Sequence, residues 1–319
     1  GKGSSAIPIY QKFVEQAKKL NPNYLSMIIP SRWFTGGRGL DQFRDEMIND
    51  RQIRILHDFP DASECFPGVE IKGGVCYFLW DRNNEGGCEV NTHVNSEIIS
   101  SRTRFLIEEE NNVFIRNNEA IDILEKIKSH GELRFSTIVS ANDPFGFDVR
   151  EKGSYRRLKP QFETTPFRNS VEFYYHGWMK KGLGYISQAL ISRNVSWINK
   201  HKILIPKAWG VGDVSKDRLN PFLVGPDSCA TETYLVVGPF EDEQTAQNAI
   251  TYMNTKFFHF MVSLMKNTQN TMQKAYSYVP MQDFSQEWDD VSLYKKYQLT
   301  AEEIDWIEVQ TSGNLDSHF

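Results

Sequence analysis

From Ile7 to Trp80 the apolar residues switch repeatedly between helical and strand spacing, and this alternation constrains the fold more than any other feature. Ile7, Tyr10, Phe13, Val14, Ala17 and Leu20 recur on one helical face, Pro8 suits a first turn, and Asn21-Pro22 ends the run. Tyr24 to Ile29 reads as a buried strand, Leu40, Phe43 and Met47 mark a second helix, and Ile53 to Phe59 and Val75 to Trp80 are two more strands. Helix, strand, helix, strand, strand predicts an α/β doubly wound sheet. No helix separates the last two strands, so they are expected to pair antiparallel. The pattern fades near Asn95, which makes it one half of an α/β domain.

A different texture follows. Asn118 to His130 is a helix with Gly131 as its stop. Short strands and turns rich in Gly, Pro, Arg and aromatics continue to Gly238, and Glu241 to Met265 reads as two adjacent helices. Thr300-Ala301-Glu302-Glu303 is a capping box that opens a last helix through Ile304 and Ile307. A chain of 319 residues allows about two domains, and the expected division is 1–95 and 96–319. Ser4-Ser5-Ala6-Ile7-Pro8 runs straight into the first helix, so the chain is expected to start mid-domain, as a fragment or with an N-terminal part missing. No apolar run approaches the roughly 20 residues of a membrane helix.

Charge is unevenly spread. The net charge of −5 argues against a nucleic-acid binder when taken alone. Between Arg150 and Lys207, however, 12 Lys or Arg stand against three acids, Glu151, Glu163 and Glu172. Nine aromatics are interleaved there, among them Tyr155, Phe173, Tyr174, Tyr175, Trp178 and Trp197. This composition suits phosphate neutralisation on DNA or RNA; it equally suits a solvated basic face over a small aromatic core. The cysteines, Cys65, Cys76, Cys88 and Cys229, form no C-x-x-C pair and read as reduced thiols of a cytoplasmic protein. The seven His show no ligand spacing.

Several motifs invite a function. Gly36-Gly37-Arg38-Gly39 follows a strand and precedes a helix, but it lacks the spacing of a dinucleotide fingerprint and the ending of a P-loop. Arg32 and Arg38 beside backbone amides can hold a phosphate diester, or the glycines can simply serve a tight turn. Asn21-Pro22-Asn23-Tyr24 approaches Asn-Pro-Pro-Tyr, the signature with which amino-methyltransferases hold the amine of a flipped base. It sits before a strand instead of after one, so a helix-stop turn is the better reading. Pro60-Asp61 followed by Glu70-Ile71-Lys72 reads like a PD…ExK nuclease motif, in which the acids bind Mg²⁺ and the Lys helps activate water. The spacing is short and Phe66-Pro67-Gly68 interrupts it. No Ser-His-Asp order with a nucleophile elbow and no zinc set occurs.

"AIPIYQKFVEQAKKL", "YLSMIIPSRWF", "ECFPGVEIKGGVCYFLWDR", "SCATETYLVVGPF", "KNTQN" and "SYVPMQDFSQEWDD", in that order, resemble the adenine-specific DNA methyltransferases of bacterial type II restriction–modification systems. The resemblance runs from Ser5 to about Glu308. It implies transfer of a methyl group from S-adenosylmethionine (AdoMet) to the exocyclic amine of adenine in double-stranded DNA, by base flipping. It also implies a fold class: the C-terminal half of a Rossmann-like methyltransferase sheet (1–95), then a mixed α+β target-recognition domain with C-terminal helices (96–319). The AdoMet-binding glycine motif and a true Asn-Pro-Pro-Tyr are absent, so the chain is expected to be inactive alone and to need its missing N-terminal half or a partner subunit.

By position, Phe66 in "CFPGV" matches the aromatic that stacks on the flipped adenine. "PSRWF" matches a segment bordering the same pocket, which places Arg32 and Arg38 toward DNA phosphates. Arg156, Arg157, Lys159, Arg168, Lys180, Lys181, Lys202 and Lys207 are candidate DNA contacts in the recognition domain, with Gln188, Asn194 and Trp209 weaker ones. Two alternatives stand beside this reading. One is a non-catalytic DNA-recognition module; the other is a Mg²⁺-dependent nuclease using Asp61, Glu70 and Lys72.

Overall fold

The computed structural model describes residues 8–34, 36–37, 39–69, 71, 73–107, 114–147, 161–207, 219–265 and 272–311. Arg38, Glu70, Lys72, Arg156, Arg157, Lys159 and Trp209 lie outside these residues. The chain divides into two compact units between Glu125 and Lys126.

The first unit carries helices α1 (Tyr10–Lys19) and α2 (Asp41–Asn49) and a five-stranded sheet. Its strands are β1 (Tyr24–Pro30), β2 (Ile53–Phe59), β3 (Val75–Asp81), β4 (Cys88–Val94) and β5 (Glu97–Arg104), in the order β1-β3-β2-β4-β5. β3 runs antiparallel to both β1 and β2, β2 is parallel to β4, and β4 is antiparallel to β5. The sheet is therefore mixed. β1 and β2 point the same way through β3, so their carboxyl ends share one edge. Val14 of α1 and Phe43, Met47 and Ile48 of α2 bury one face of the sheet, against Ile29, Leu56, Phe78, Trp80 and Val90.

Three expectations need correction. Phe13 and Leu20 are 61% and 84% exposed, because the buried face of α1 follows Val14 and both residues lie off it. β1 is not a buried strand: Tyr24, Ser26 and Ile28 alternate onto an open face. The sheet does not end near residue 95, because β4 and β5 extend it. Their polar sequence hides them, yet β4 pairs with β2 and is anchored by Asn118, whose Nδ2 donates to the Val90 carbonyl at 3.2 Å and the Ser100 hydroxyl at 2.9 Å. α3 (Glu119–Ser129) follows.

The second unit holds two three-stranded sheets. The first is built from β6 (Ser170–Tyr174), β7 (Gly184–Ser187) and β10 (Ser228–Ala230). The second is built from β8 (His201–Pro206), β9 (Phe222–Val224) and β11 (Tyr234–Phe240). Phe145, Phe147, Phe173, Ile186, Leu204 and Val236 are among the residues of their common core. The helices are α4 (Trp178–Lys181), α5 (Glu243–Met253), α6 (Lys256–Ser263), α7 (Asp290–Lys296) and α8 (Ala301–Thr311). The capping box forms as expected: Glu303 N donates to Thr300 Oγ1 at 3.3 Å and Thr300 N to Glu303 Oε2 at 2.7 Å. No helix among the described residues is long and apolar enough to cross a membrane.

Candidate nucleic-acid interface

Two turns leave the shared carboxyl edge of β1 and β2. After β1, Ser31–Phe34 form one turn of 3-10 helix. Trp33 and Phe34 are buried, 0% and 5% exposed, and pack with Phe114 at ring distances of 6.3 and 4.5 Å. The aromatics of "PSRWF" thus belong to the core and do not line an open pocket. Arg32 stays half-buried, close enough to Tyr10 to oppose the upward push of burial on that hydroxyl.

The glycine turn is not an anion cradle. Gly37 N donates to Asp41 Oδ1 at 3.0 Å, and a Cβ on Gly36 would stand 2.5 Å from Arg44 Nη1 and 2.6 Å from Asp41 Oδ1. Its space and an amide are already taken by α2.

After β2, Asp61 caps a short turn, Ala62–Glu64, by accepting from Ser63 N at 2.8 Å. Those bonds hold the Asp61 carboxyl below its usual range. Phe66 comes next. Its amide donates to Ala62 O at 2.9 Å, its carbonyl accepts from Val69 N at 3.1 Å, and it is 38% exposed. The residue is thus fixed at its backbone and partly open to solvent.

A second aromatic group, missed in the sequence, lies on the open face of the sheet. His57 Nδ1 and His93 Nε2 are 2.7 Å apart, so one proton bridges the rings. Tyr77 stacks on His57 at 4.5 Å and Phe59 on His93 at 4.2 Å. Burial lowers both imidazole pKa values; Glu89 opposes this at His57, and Glu64 and Asp58 oppose it at His93. The scattered histidines meet only because β2 and β4 pair, a contact that local spacing does not reveal. Among the described residues no group of three His, Cys, Asp or Glu is arranged to hold a metal ion.

The candidate contacts of the second unit separate. Lys180 and Lys181 lie exposed in α4, which is pinned by the Trp178 Nε1 bond to Tyr234 OH at 3.0 Å. Arg168 is exposed beyond the other end of the β6–β7 hairpin. Gln188 is half-buried, and Asn194 donates to Pro144 O at 2.8 Å. Lys207 is half-buried and bonds Asn142 Oδ1.

Lys202 is not a DNA contact. It is fully buried, and the three N–H groups of Nζ are shared among the carbonyls of Trp197, Ile198, Lys200 and Gly225 at 3.0, 3.0, 2.7 and 3.3 Å. Burial pushes its pKa down to about 8, against Cys229, Asp227 and Glu172.

Residues 1–66 match the family model described as Eco57I restriction-modification methylase. A curated protein of Mycoplasma pneumoniae (strain ATCC 29342 / M129 / Subtype 1), described as an uncharacterized adenine-specific methylase, is 36% identical over 136 residues, 40% of this chain and 32% of that protein. The chain is thus a homologue of an adenine-specific methylase and carries a restriction–modification methylase match at its amino end. It spans about a third of that relative's length. Among solved structures, the type IIG restriction endonuclease BpuSI aligns over 98% of this chain and 44% of its own, with 13% identity and a TM-score of 0.36. The type IIL restriction-modification enzyme MmeI in complex with DNA aligns over 96% and 49%, with 8% identity and a TM-score of 0.42.

Proposed function

We propose that this chain is the DNA-facing part of a site-specific adenine DNA methyltransferase of a restriction–modification system. One observation carries the reading. The segment that matches the methylase family ends on Phe66, which is 38% exposed in the loop leaving the carboxyl end of β2. Open α/β sheets take their ligands at that edge. An adenine rotated out of duplex DNA stacks on this ring; extrusion costs a few kcal/mol, and a base–aromatic stack returns about 1–3 kcal/mol.

On this reading the first unit is the later half of a Rossmann-like catalytic domain, and the second is a target-recognition domain. Arg168, Lys180 and Lys181 then neutralise phosphates and fix the register on DNA, and Arg32 does so beside the base pocket. AdoMet supplies the methyl group in such a reaction. The Gly36–Gly37 turn, filled by Asp41 and Arg44, does not fit it. The chain alone is expected to bind DNA without methylating it.

The test is tritium transfer from labelled AdoMet into unmethylated genomic DNA by the complete protein. Phe66→Ala is expected to lower transfer about tenfold or more, the loss of roughly 1.4 kcal/mol of stacking, with duplex affinity unchanged. Equal transfer by the variant removes Phe66 from the base pocket.

A further inference from the structure

The loop bearing Phe66 leaves β2 at Pro60 and re-enters the sheet at Gly74. Its two ends are pressed together: Gly74 has φ +79°, and a Cβ there would lie 2.2 Å from Phe59 O and 2.7 Å from Pro60 O. One side chain outside the loop reaches both ends. Arg116 Nε lies 2.5 Å from Asp58 Oδ2, and its Nη2 donates to Asp58 Oδ1 at 3.0 Å. The same Nη2 donates to Gly73 O at 2.6 Å. Asp58 sits two residues before the loop and Gly73 is its last residue.

The Asp58 carboxylate is fully buried and also accepts from Ser31 Oγ at 3.0 Å, which joins the turn after β1 to the same point. The Arg116 guanidinium lies over the Phe34 ring at 5.3 Å. Arg116 itself is held in place. The neighbouring Phe114 N donates to Phe34 O at 2.9 Å, and Arg104 donates to Ile115 O at 2.5 Å. One guanidinium reaches the carboxylate, the Gly73 carbonyl and the Phe34 ring together, which a single ammonium point charge does not reproduce.

We infer that Arg116 is the positioning residue of the proposed target-base site: by bridging Asp58 and Gly73 it fixes the loop that presents Phe66. This rests on the reading of Phe66 as the stacking residue. If Arg116 only neutralised a buried carboxylate, the Gly73 contact and the contact with the Phe34 ring would be superfluous. Preorganisation of this kind acts on turnover more than on DNA affinity, since a misplacement of about 1 Å can cost on the order of a hundredfold in rate.

Two measurements separate the inference from the reading beneath it. Hydrogen exchange on this chain compares wild type, Arg116→Lys and the double variant Arg116→Met with Asp58→Asn. The double variant removes the buried carboxylate together with its partly exposed partner and so avoids an unpaired carboxylate. Peptides spanning residues 60–73 are expected to exchange about tenfold faster in both variants, with β1 and β3 unchanged. Loop protection at the wild-type level in the folded double variant overturns the inference, because charge neutralisation would then be the whole role. In the complete protein, Arg116→Lys is expected to lower the turnover of methyl transfer about tenfold with duplex affinity unchanged; a loss of affinity at unchanged turnover overturns it too. A wild-type protein that transfers no methyl group defeats the proposed function, while the exchange result still decides the brace.

Discussion

Lys202→Met probes the most unexpected charge in the molecule. The Lys202 ammonium has no access to solvent, and its pKa falls from 10.5 to about 8 through burial. That gap, 10.5 less 8, corresponds to roughly 3 kcal/mol at about 1.4 kcal/mol per pH unit. The sign follows from proton counting. Between pH 8 and 10.5 the unfolded chain keeps a proton that the folded chain has released, so stability from this group rises with pH in that window. Below pH 8 the charge-burial cost is fully present.

Methionine removes that cost, and also removes the donor from four carbonyls. Three of these keep a second partner: Trp197 O bonds Lys200 N at 3.2 Å, Ile198 O bonds Ser228 N at 3.5 Å, and Gly225 O bonds Ser228 Oγ at 2.5 Å. Lys200 O loses its donor, at a cost of about 1–3 kcal/mol. The two effects nearly cancel at pH 7, so the variant is expected within about 2 kcal/mol of wild type there. By pH 10 the wild type should be ahead by an additional 2 kcal/mol or so. Urea denaturation at pH 7, 8, 9 and 10 reads the difference directly, because the exposed lysines cancel between the two proteins. A difference that is constant across this range refutes the argument. So does a flattened salt dependence of DNA binding in Lys202→Met, since a buried ammonium neutralises no phosphate.

Replacing Lys180 and Lys181 by Ala should lower the slope of log affinity for DNA against log salt by up to about 2, near 0.9 for each phosphate no longer neutralised; an unchanged slope moves both off the interface. The His57–His93 pair carries depressed pKa values, so its stabilisation is present above pH 6.5 and is lost as pH falls through the folded values. His93→Phe keeps the stack on Phe59 and should lose less stability than wild type between pH 7 and pH 5 in urea denaturation. Equal losses would show that the pair does not titrate with folding.

Local patterns in the sequence carried α1, α2, α3, α5, α6, α8 and the first three strands, but not α4 or α7, because a 3.6-residue or two-residue period is a local signal that shows only over enough residues. The capping box at Thr300 and the stop at Gly131 were legible for the same reason. β4 and β5 were not, since "CEVNTHV" and "EIISSRTR" hold their places through pairing with β2 and through the Asn118 network. Lys202 reads as an outward residue on "HKILIP"; only the converging carbonyls after Trp197 and at Gly225 turn it inward. Phe66 could be singled out from its motif. Arg116 could not, because its partners Asp58 and Gly73 are far away along the chain and no spacing rule links them.

DNA binding by this chain can be followed by fluorescence anisotropy on a labelled duplex across a salt series, with and without AdoMet. On the proposed reading the chain is expected to bind more tightly as salt falls and to ignore AdoMet. Absence of binding at low salt would contradict it, leaving Arg168, Lys180 and Lys181 as an ordinary solvated surface.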